Sequence, residues 1–474
     1  MTIVGRRKEQ QELERLGETP RAEFVVVYGR RRVGKTYLVR EYFNKEFAFH
    51  ATGIARGNKA LQLAGFNESL RRAGGTGDAT DWMSAFSRLR DLLESGNALR
   101  DVKSGKMVIF IDEMPWLDTP RAQFLPALEY FWNIWASGQP DLLLIACGSA
   151  TSWITKNLLS NHGGLHNRVT SRIHLEPLCL GECRAYYEMN GLAFSEREML
   201  ESYMVFGGVP FYLDLLDRRI GLTQNVDHLC FGNTAQLHNE FDELFRSLFR
   251  QADRHIRIVR VLASKASGMS RDELCAAAHM SDGGGLSTTL AELEQCGFIR
   301  RFGDFTKAKL GDTYQLIDSF TLFYLRFVEE GHTSGWWNAN YGSPAIRAWS
   351  GYAFELVCLL HTKQILHSMD VLGVSHTAST WRSQSSDNCA QIDLVIDRAD
   401  GIINLCEMKY ADHPFAITKS YEQRLGLKRT VFARETKSRK ALHMTLVSPL
   451  GVVNNTPRGA VQEVVTAEDL FWRP

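Results

Sequence analysis

The stretch Phe24-Val25-Val26-Val27-Tyr28-Gly29-Arg30-Arg31-Arg32-Val33-Gly34-Lys35-Thr36 decides how this chain is read. Its apolar start has the length of a buried strand and stops at a glycine. A helical pattern begins at Lys35 and runs on through Tyr37–Phe43. Gly29, four residues, then Gly34-Lys35-Thr36 is the full Walker A spacing. Glycines let backbone N–H groups close on phosphate oxygens, and the helix N-terminus adds the positive end of its dipole. Gly29, Arg30, Arg31, Arg32, Val33 and Gly34 would then line the phosphates of ATP. Lys35 would reach the β- and γ-phosphates, and the Thr36 hydroxyl would ligate Mg²⁺. A chance glycine-rich turn would lack the strand before it and the helix after it.

A second apolar run, Lys106-Met107-Val108-Ile109-Phe110-Ile111, leads straight into Asp112 and Glu113. This is a Walker B pattern. Asp112 would hold the metal and Glu113 would polarise the attacking water. Downstream, Asp141–Cys147 is another buried run, ending in Gly148-Ser149. Arg168 and Arg172 follow, just before a short strand and Pro177. An arginine at the γ-phosphate stabilises transition-state charge, and Arg168 is the candidate; surface arginines in ion pairs are the plain alternative. Gly207-Gly208-Val209-Pro210 opens a helix, either as turn chemistry or to set backbone and ring atoms against the adenine. Gly5-Arg6 and the charged helix Lys8–Leu16 precede the first strand as a candidate wall of that pocket.

Composition bounds the rest. At 474 residues the chain is long enough for two to four domains of about 100–200 residues each. Lys+Arg number 55 against Asp+Glu 54, so any contact with nucleic acid must be local. Nine cysteines lie scattered without a CxxC pair, which reads as reduced thiols in a cytoplasmic protein. Cys179 and Cys183 read as helix-face thiols. No apolar run is long enough to span a membrane, and the N-terminus lacks a signal-peptide pattern.

Gly5-Arg6, Tyr28–Thr36, Ile111-Asp112-Glu113, Gly148-Ser149, Arg168 and Gly207–Pro210 together resemble the archaeal-type ATPase family, which is similar to AAA+ and STAND NTPases. The resemblance covers the first half of the chain. It implies an additional-strand (ASCE-type) P-loop NTPase, an α/β fold with a parallel sheet. There the Ser149 strand lies between the Walker strands and Ser149 senses the γ-phosphate. It also implies a helical lid after Leu178, with Gly208 and Pro210 on the nucleotide.

In the middle, Arg254–Ala263, Ser270–His279 and Leu286–Cys296 read as helices. Gly297–Phe302 and Asp312–Leu316 read as two strands. Three helices and a wing resemble a winged-helix domain. The would-be recognition helix carries Glu292 and Glu294 and no Lys or Arg. Insertion beside phosphates is therefore unfavourable, and a protein-packing role is the equal alternative. Arg300, Arg301, Lys307 and Lys309 would let the wing touch a backbone. Ile317–Glu329 reads as an aromatic-rich packing helix.

The last third carries Gln391–Asp397 and Ile402–Tyr410 as strands and Trp349–His361 as a helix. If the strands form a hairpin, Asp393, Glu407 and Lys409 converge. Two carboxylates bind a hard divalent cation, and a lysine orients or deprotonates the nucleophile. This third resembles the PD-(D/E)xK nuclease superfamily. Asp393 stands for the D, Glu407-Met408-Lys409 for the ExK, and Glu355 for the helix glutamate that completes a Mg²⁺ or Mn²⁺ site. Exposed strand charges are the plain alternative. Lys419, Arg424, Lys428 and Arg429 would hold a phosphate backbone.

The domains expected are an ATPase core over 1–177, a lid and connector over 178–253, a winged helix over 254–330 and a restriction-endonuclease-like α/β domain over 345–474. The function expected is ATP hydrolysis regulating a metal-dependent nuclease that acts on DNA, away from membranes. A homo-oligomer through a trans arginine is an open option. The alternatives are a STAND-like nucleotide switch whose C-terminal domain binds without cutting, and a scaffold with residual nucleotide binding.

Overall fold

A strand that is apolar at every position needs cover on both faces, and the N-terminal sheet shows why. In β1 (Glu23–Tyr28), Val25 and Val27 join one core while Phe24 and Val26 join the other. The strands β2 (Phe49–Thr52), β3 (Met107–Asp112), β4 (Leu142–Gly148) and β5 (Ser171–His174) complete a five-stranded sheet of order β2-β3-β4-β1-β5. Every pairing is parallel. Helices Arg7–Glu18 and Lys35–Tyr42 pack Leu13, Leu16, Leu38 and Val39 on one face. Helices Lys59–Arg72, Trp82–Glu94 and Phe124–Ile134 pack Phe66, Trp82, Phe86 and Trp132 on the other. β4 lies between β1 and β3, so the ends of all three strands are neighbours.

This computed structural model describes residues 3–149, 151–159, 165, 167–249, 251–303, 305, 313–383 and 390–474. The chain divides into two compact units: Met1–Glu176 with Gln295–Gly297, and Pro177–Glu294 with Phe298–Pro474. The parallel sheet belongs to the first.

The second unit holds two sheets. Strands β6 (Met269–Ser270), β7 (Ile299–Phe302) and β8 (Thr313–Leu316) form an antiparallel sheet of order β6-β8-β7. With it go helices Ala252–Ala263, Arg271–Ala278 and Gly284–Gln295. Lys307, Lys309 and Asp312 lie outside the described residues. The segment expected as one helix over Ile317–Glu329 is a short α-helix, Ser319–Phe323, running into a π-helical turn, Tyr324–Val328.

Further on, β9 (His376–Arg382), β10 (Gln391–Arg398), β11 (Ile402–Met408), β12 (Ala441–Val447) and β13 (Glu463–Val465) form a mixed sheet of order β13-β12-β11-β10-β9. β9, β10 and β11 are antiparallel; β11, β12 and β13 are parallel. Ile392, Val395, Ile403 and Leu405 pack on Tyr421, Leu425 and Phe432 of the helix Lys419–Thr436.

The helices that follow Pro177 also belong to this unit. Glu201, on the helix Glu196–Phe206, accepts from Tyr410 Oη at 2.7 Å and Tyr341 Oη at 2.8 Å. His361 Nε2 accepts from the Leu180 amide at 2.9 Å, its Nδ1 lying 2.7 Å from Val357 O, and burial lowers its pKa to about 4. The neutral ring thus ties the start of the helix Leu180–Met189 to the end of the helix Pro344–Leu360.

Candidate functional site

The loop after β1 is folded tightly on itself. Gly29 has φ +144°, and a Cβ there would lie 2.3 Å from Leu175 O, so only glycine fits. The Lys35 side chain is 5% exposed, and Nζ donates to Gly29 O at 2.9 Å and Arg30 O at 2.8 Å. Burial lowers its pKa, while the charges of Glu113 and Asp112 are among those that oppose the shift. Arg6, also buried, donates from Nη2 to Val33 O at 3.1 Å. Arg6 is a loop-bracing residue that the reading of the sequence placed only near the adenine. Its pairing with Gly5 just ahead of the first strand was the available signal.

Asp112 is the last residue of β3. Its Oδ2 accepts from Thr36 Oγ1 at 2.9 Å and its Oδ1 from the Glu113 amide at 2.9 Å. Hydroxyl and carboxylate oxygens already side by side suit a hard cation such as Mg²⁺. Glu113 leaves the strand at φ +45°, an uncommon conformation for a side-chain-bearing residue. That turn points its carboxylate at Ser149, whose Oγ donates to Glu113 Oε1 at 2.7 Å. Lys35, Thr36, Asp112, Glu113 and Ser149 therefore meet at one end of three adjacent strands.

Two other expected residues stand differently. Arg168 is exposed in a turn, and its guanidinium makes no hydrogen bond or ion pair with a described residue. Gly208 is buried and its carbonyl accepts from the Leu178 amide at 2.7 Å. A Cβ on it would lie 1.7 Å from Leu178 O, so the glycine is explained by close chain packing. Pro210 opens the short helix Pro210–Leu213.

In the second unit a group of charged side chains gathers at the end of the β10–β11 hairpin. Leu394 pairs with Cys406, so the next pair along the register is Asp393 with Glu407. A register shift on the β9 side between Ile392 and Val395 marks a bulge over Asp393-Leu394. Asp393 Oδ2 accepts from the Met408 amide at 3.2 Å. Glu407 is 2% exposed; Lys428 Nζ pairs with its Oε1, and Lys409 Nζ lies 3.9 Å from its Oε2. Burial raises the Glu407 pKa and the neighbouring Asp393 charge adds to it. Glu355, on the helix Pro344–Leu360, is pushed up to about 8 by burial and then by Asp393, with Arg300 and Lys409 opposing.

Expectations about three cations change here. Lys428 is turned onto Glu407 and is not on an open helix face. Arg300 is turned inward from β7 and donates from Nε to Gln315 Oε1 at 2.8 Å; burial lowers its pKa to about 10. Arg301 stands 3.7 Å from Glu294. A metal fits these acids in kind, since all are carboxylates. Among the described residues, however, no three His, Cys, Asp or Glu side chains form a group that could hold a metal ion. Nor is any helix among them long and apolar enough to cross a membrane.

The chain is similar in sequence or fold to known proteins. An uncharacterized protein of Methanocaldococcus jannaschii is 26% identical over 345 residues, covering 69% of each chain. A Walker-type ATPase of Pyrococcus abyssi superposes with a TM-score of 0.49 at 18% identity, over 69% of this chain and 96% of that one. The ORC2 protein of Aeropyrum pernix, solved as ADPNP–ADP complexes, gives 0.42 at 13% identity, over 72% of this chain and 97% of that one. Residues 3–216 match the family described as an ATPase domain predominantly from Archaea, so this part of the chain is similar to ATPase domains of that type.

Proposed function

We propose that the chain hydrolyses ATP with Mg²⁺ and that its nucleotide state governs a metal-dependent nuclease site acting on DNA. The observation that carries the ATPase part is the meeting of Lys35, Thr36, Asp112, Glu113 and Ser149. Lys35 neutralises the β- and γ-phosphates once it exchanges the loop carbonyls for phosphate oxygens. Thr36 and Asp112 would hold Mg²⁺, whose charge would offset that of the phosphates. Glu113 orients the attacking water, and its bond to Ser149 keeps the carboxylate aimed until the γ-phosphate draws the serine hydroxyl away. Arg168, exposed and without a bonded partner among described residues, suits supply to a neighbouring copy's site in a homo-oligomer. Replacing Lys35 by Ala lowers ATP turnover by at least about 100-fold. Wild-type turnover in that variant, measured by phosphate release, would rule the assignment out.

For the nuclease part, what supports the reading is that Asp393 and Glu407 each stand next to the last paired residues of adjacent strands, Leu394 and Cys406, with Glu355 and Lys409 acting on the same charges. Asp393 and Glu407 would supply two carboxylates to Mg²⁺ or Mn²⁺, and Lys409 would orient the nucleophile. The three helices with the β6-β8-β7 sheet would be a winged helix. Single-stranded, duplex and branched DNA are tested with either metal, with and without ATP. Cleavage lost in Lys409→Ala supports the reading; no cleavage of any substrate rejects it. One observation favours the second reading, a switch that binds without cutting: Lys428 already neutralises Glu407.

A further inference from the structure

The Tyr421 hydroxyl is buried, the residue being 6% exposed, and has no hydrogen-bond partner among the described residues. A buried phenol ordinarily finds one, because leaving a polar group unpaired away from water is costly. Its ring is well held: Phe415 lies edge-on at 5.1 Å, Arg424 Cζ sits 4.8 Å from the ring centroid, and its amide donates to Thr418 Oγ1 at 3.2 Å. Nothing in that packing needs the oxygen.

Helix geometry says where the oxygen faces. Tyr421, Leu425, Lys428 and Phe432 fall at i, i+4, i+7 and i+11 on the helix Lys419–Thr436, one continuous face. Leu425 and Phe432 pack on the mixed sheet, and Lys428 reaches Glu407. Burial, and then the charges of Glu407 and Asp393, push the Tyr421 phenol up, so both acids act on this hydroxyl. One helix face thus presents a neutral donor and a cation to the two acids. A donor without a partner among the described residues, on the same helix face as a cation, suits a phosphate oxygen, since carboxylates alone repel that group.

We propose that Tyr421 is a catalytic residue of the C-terminal site, donating its hydroxyl to a non-bridging oxygen of a phosphodiester held beside Asp393 and Glu407. This rests on the nuclease reading of that site. It adds a contact from outside the Asp393, Glu407 and Lys409 set.

The test uses the full chain and Tyr421→Phe, which keeps the ring and removes the oxygen. Cleavage of the DNA substrates with Mn²⁺ falls about 10- to 100-fold in kcat. ATP turnover is unchanged and the melting temperature is equal or higher, because the lost oxygen had no partner. Tyr421→Met serves as a second variant if the phenylalanine form does not fold. Wild-type cleavage by Tyr421→Phe, with Lys409→Ala inactive, overturns the proposal and leaves the nuclease reading standing. A melting temperature that falls in step with activity overturns it too, in favour of a structural role. If the wild type cuts no substrate, the nuclease reading falls. Affinity for a fluorescent single-stranded oligonucleotide in Mn²⁺ then decides: weaker binding by Tyr421→Phe supports a phosphate contact, and equal binding overturns it.

Discussion

Glu355 shows most plainly what placement does to a single residue. On an open helix it would be an ordinary carboxylate. Here burial and the Asp393 charge lift its pKa from 4.5 to about 8. The folded state therefore keeps the proton over a range in which the unfolded chain has lost it. Between those two values the folded form binds more protons, so stability falls as pH rises through the window and levels off above it. Glu355→Gln removes that slope. In chelator, the variant and the wild type melt together near pH 4. By pH 8–9 the variant is the more stable, by on the order of 1–3 kcal/mol. Equal melting curves across that range would place the carboxyl in a far more solvated setting. Asp112 and Glu113 make the complementary case. Side by side in the chain, they are separated in role by one turn: Asp112 faces Thr36, and Glu113, at φ +45°, faces Ser149.

At the scale of elements, the Gly207–Pro210 segment can be judged by what presses on it. The Gly208 carbonyl bonds the Leu178 amide, and the room for a Cβ is already filled by Leu178 O. Gly208→Ala must push that segment away from Leu178. The expected cost is about 1–3 kcal/mol, read as a lower melting temperature. If stability is unchanged and only nucleotide affinity falls, the glycine serves the ligand instead. The strands were legible because their apolar runs were unbroken: Met107–Asp112 and Leu142–Gly148 differ from the expected spans only at their ends. The middle segment Ile317–Glu329 keeps its buried aromatics, but Tyr324–Val328 winds as a π-turn, which apolar periodicity does not distinguish.

For the molecule as a whole, the division at Pro177 regroups the expected parts. The helices Leu180–Met189 and Glu196–Phe206 were expected as a lid apart from the last third. They lie in one compact unit with it, tied by Glu201 to Tyr410 and by Leu180 to His361. What the sequence by itself determined is the parallel sheet, with the Walker loop at the end of β1 and the acids at the end of β3. Those features are local: a run of apolar residues, a glycine spacing, two carboxylates at a strand end. Only the tertiary structure decided that Lys428 covers Glu407, that Arg300 faces inward from another sheet, and that the Tyr421 hydroxyl is buried with no hydrogen-bond partner among the described residues. Each of these depends on residues from separate elements. Their distances depend on how helices and sheets pack, and no spacing along the chain encodes that.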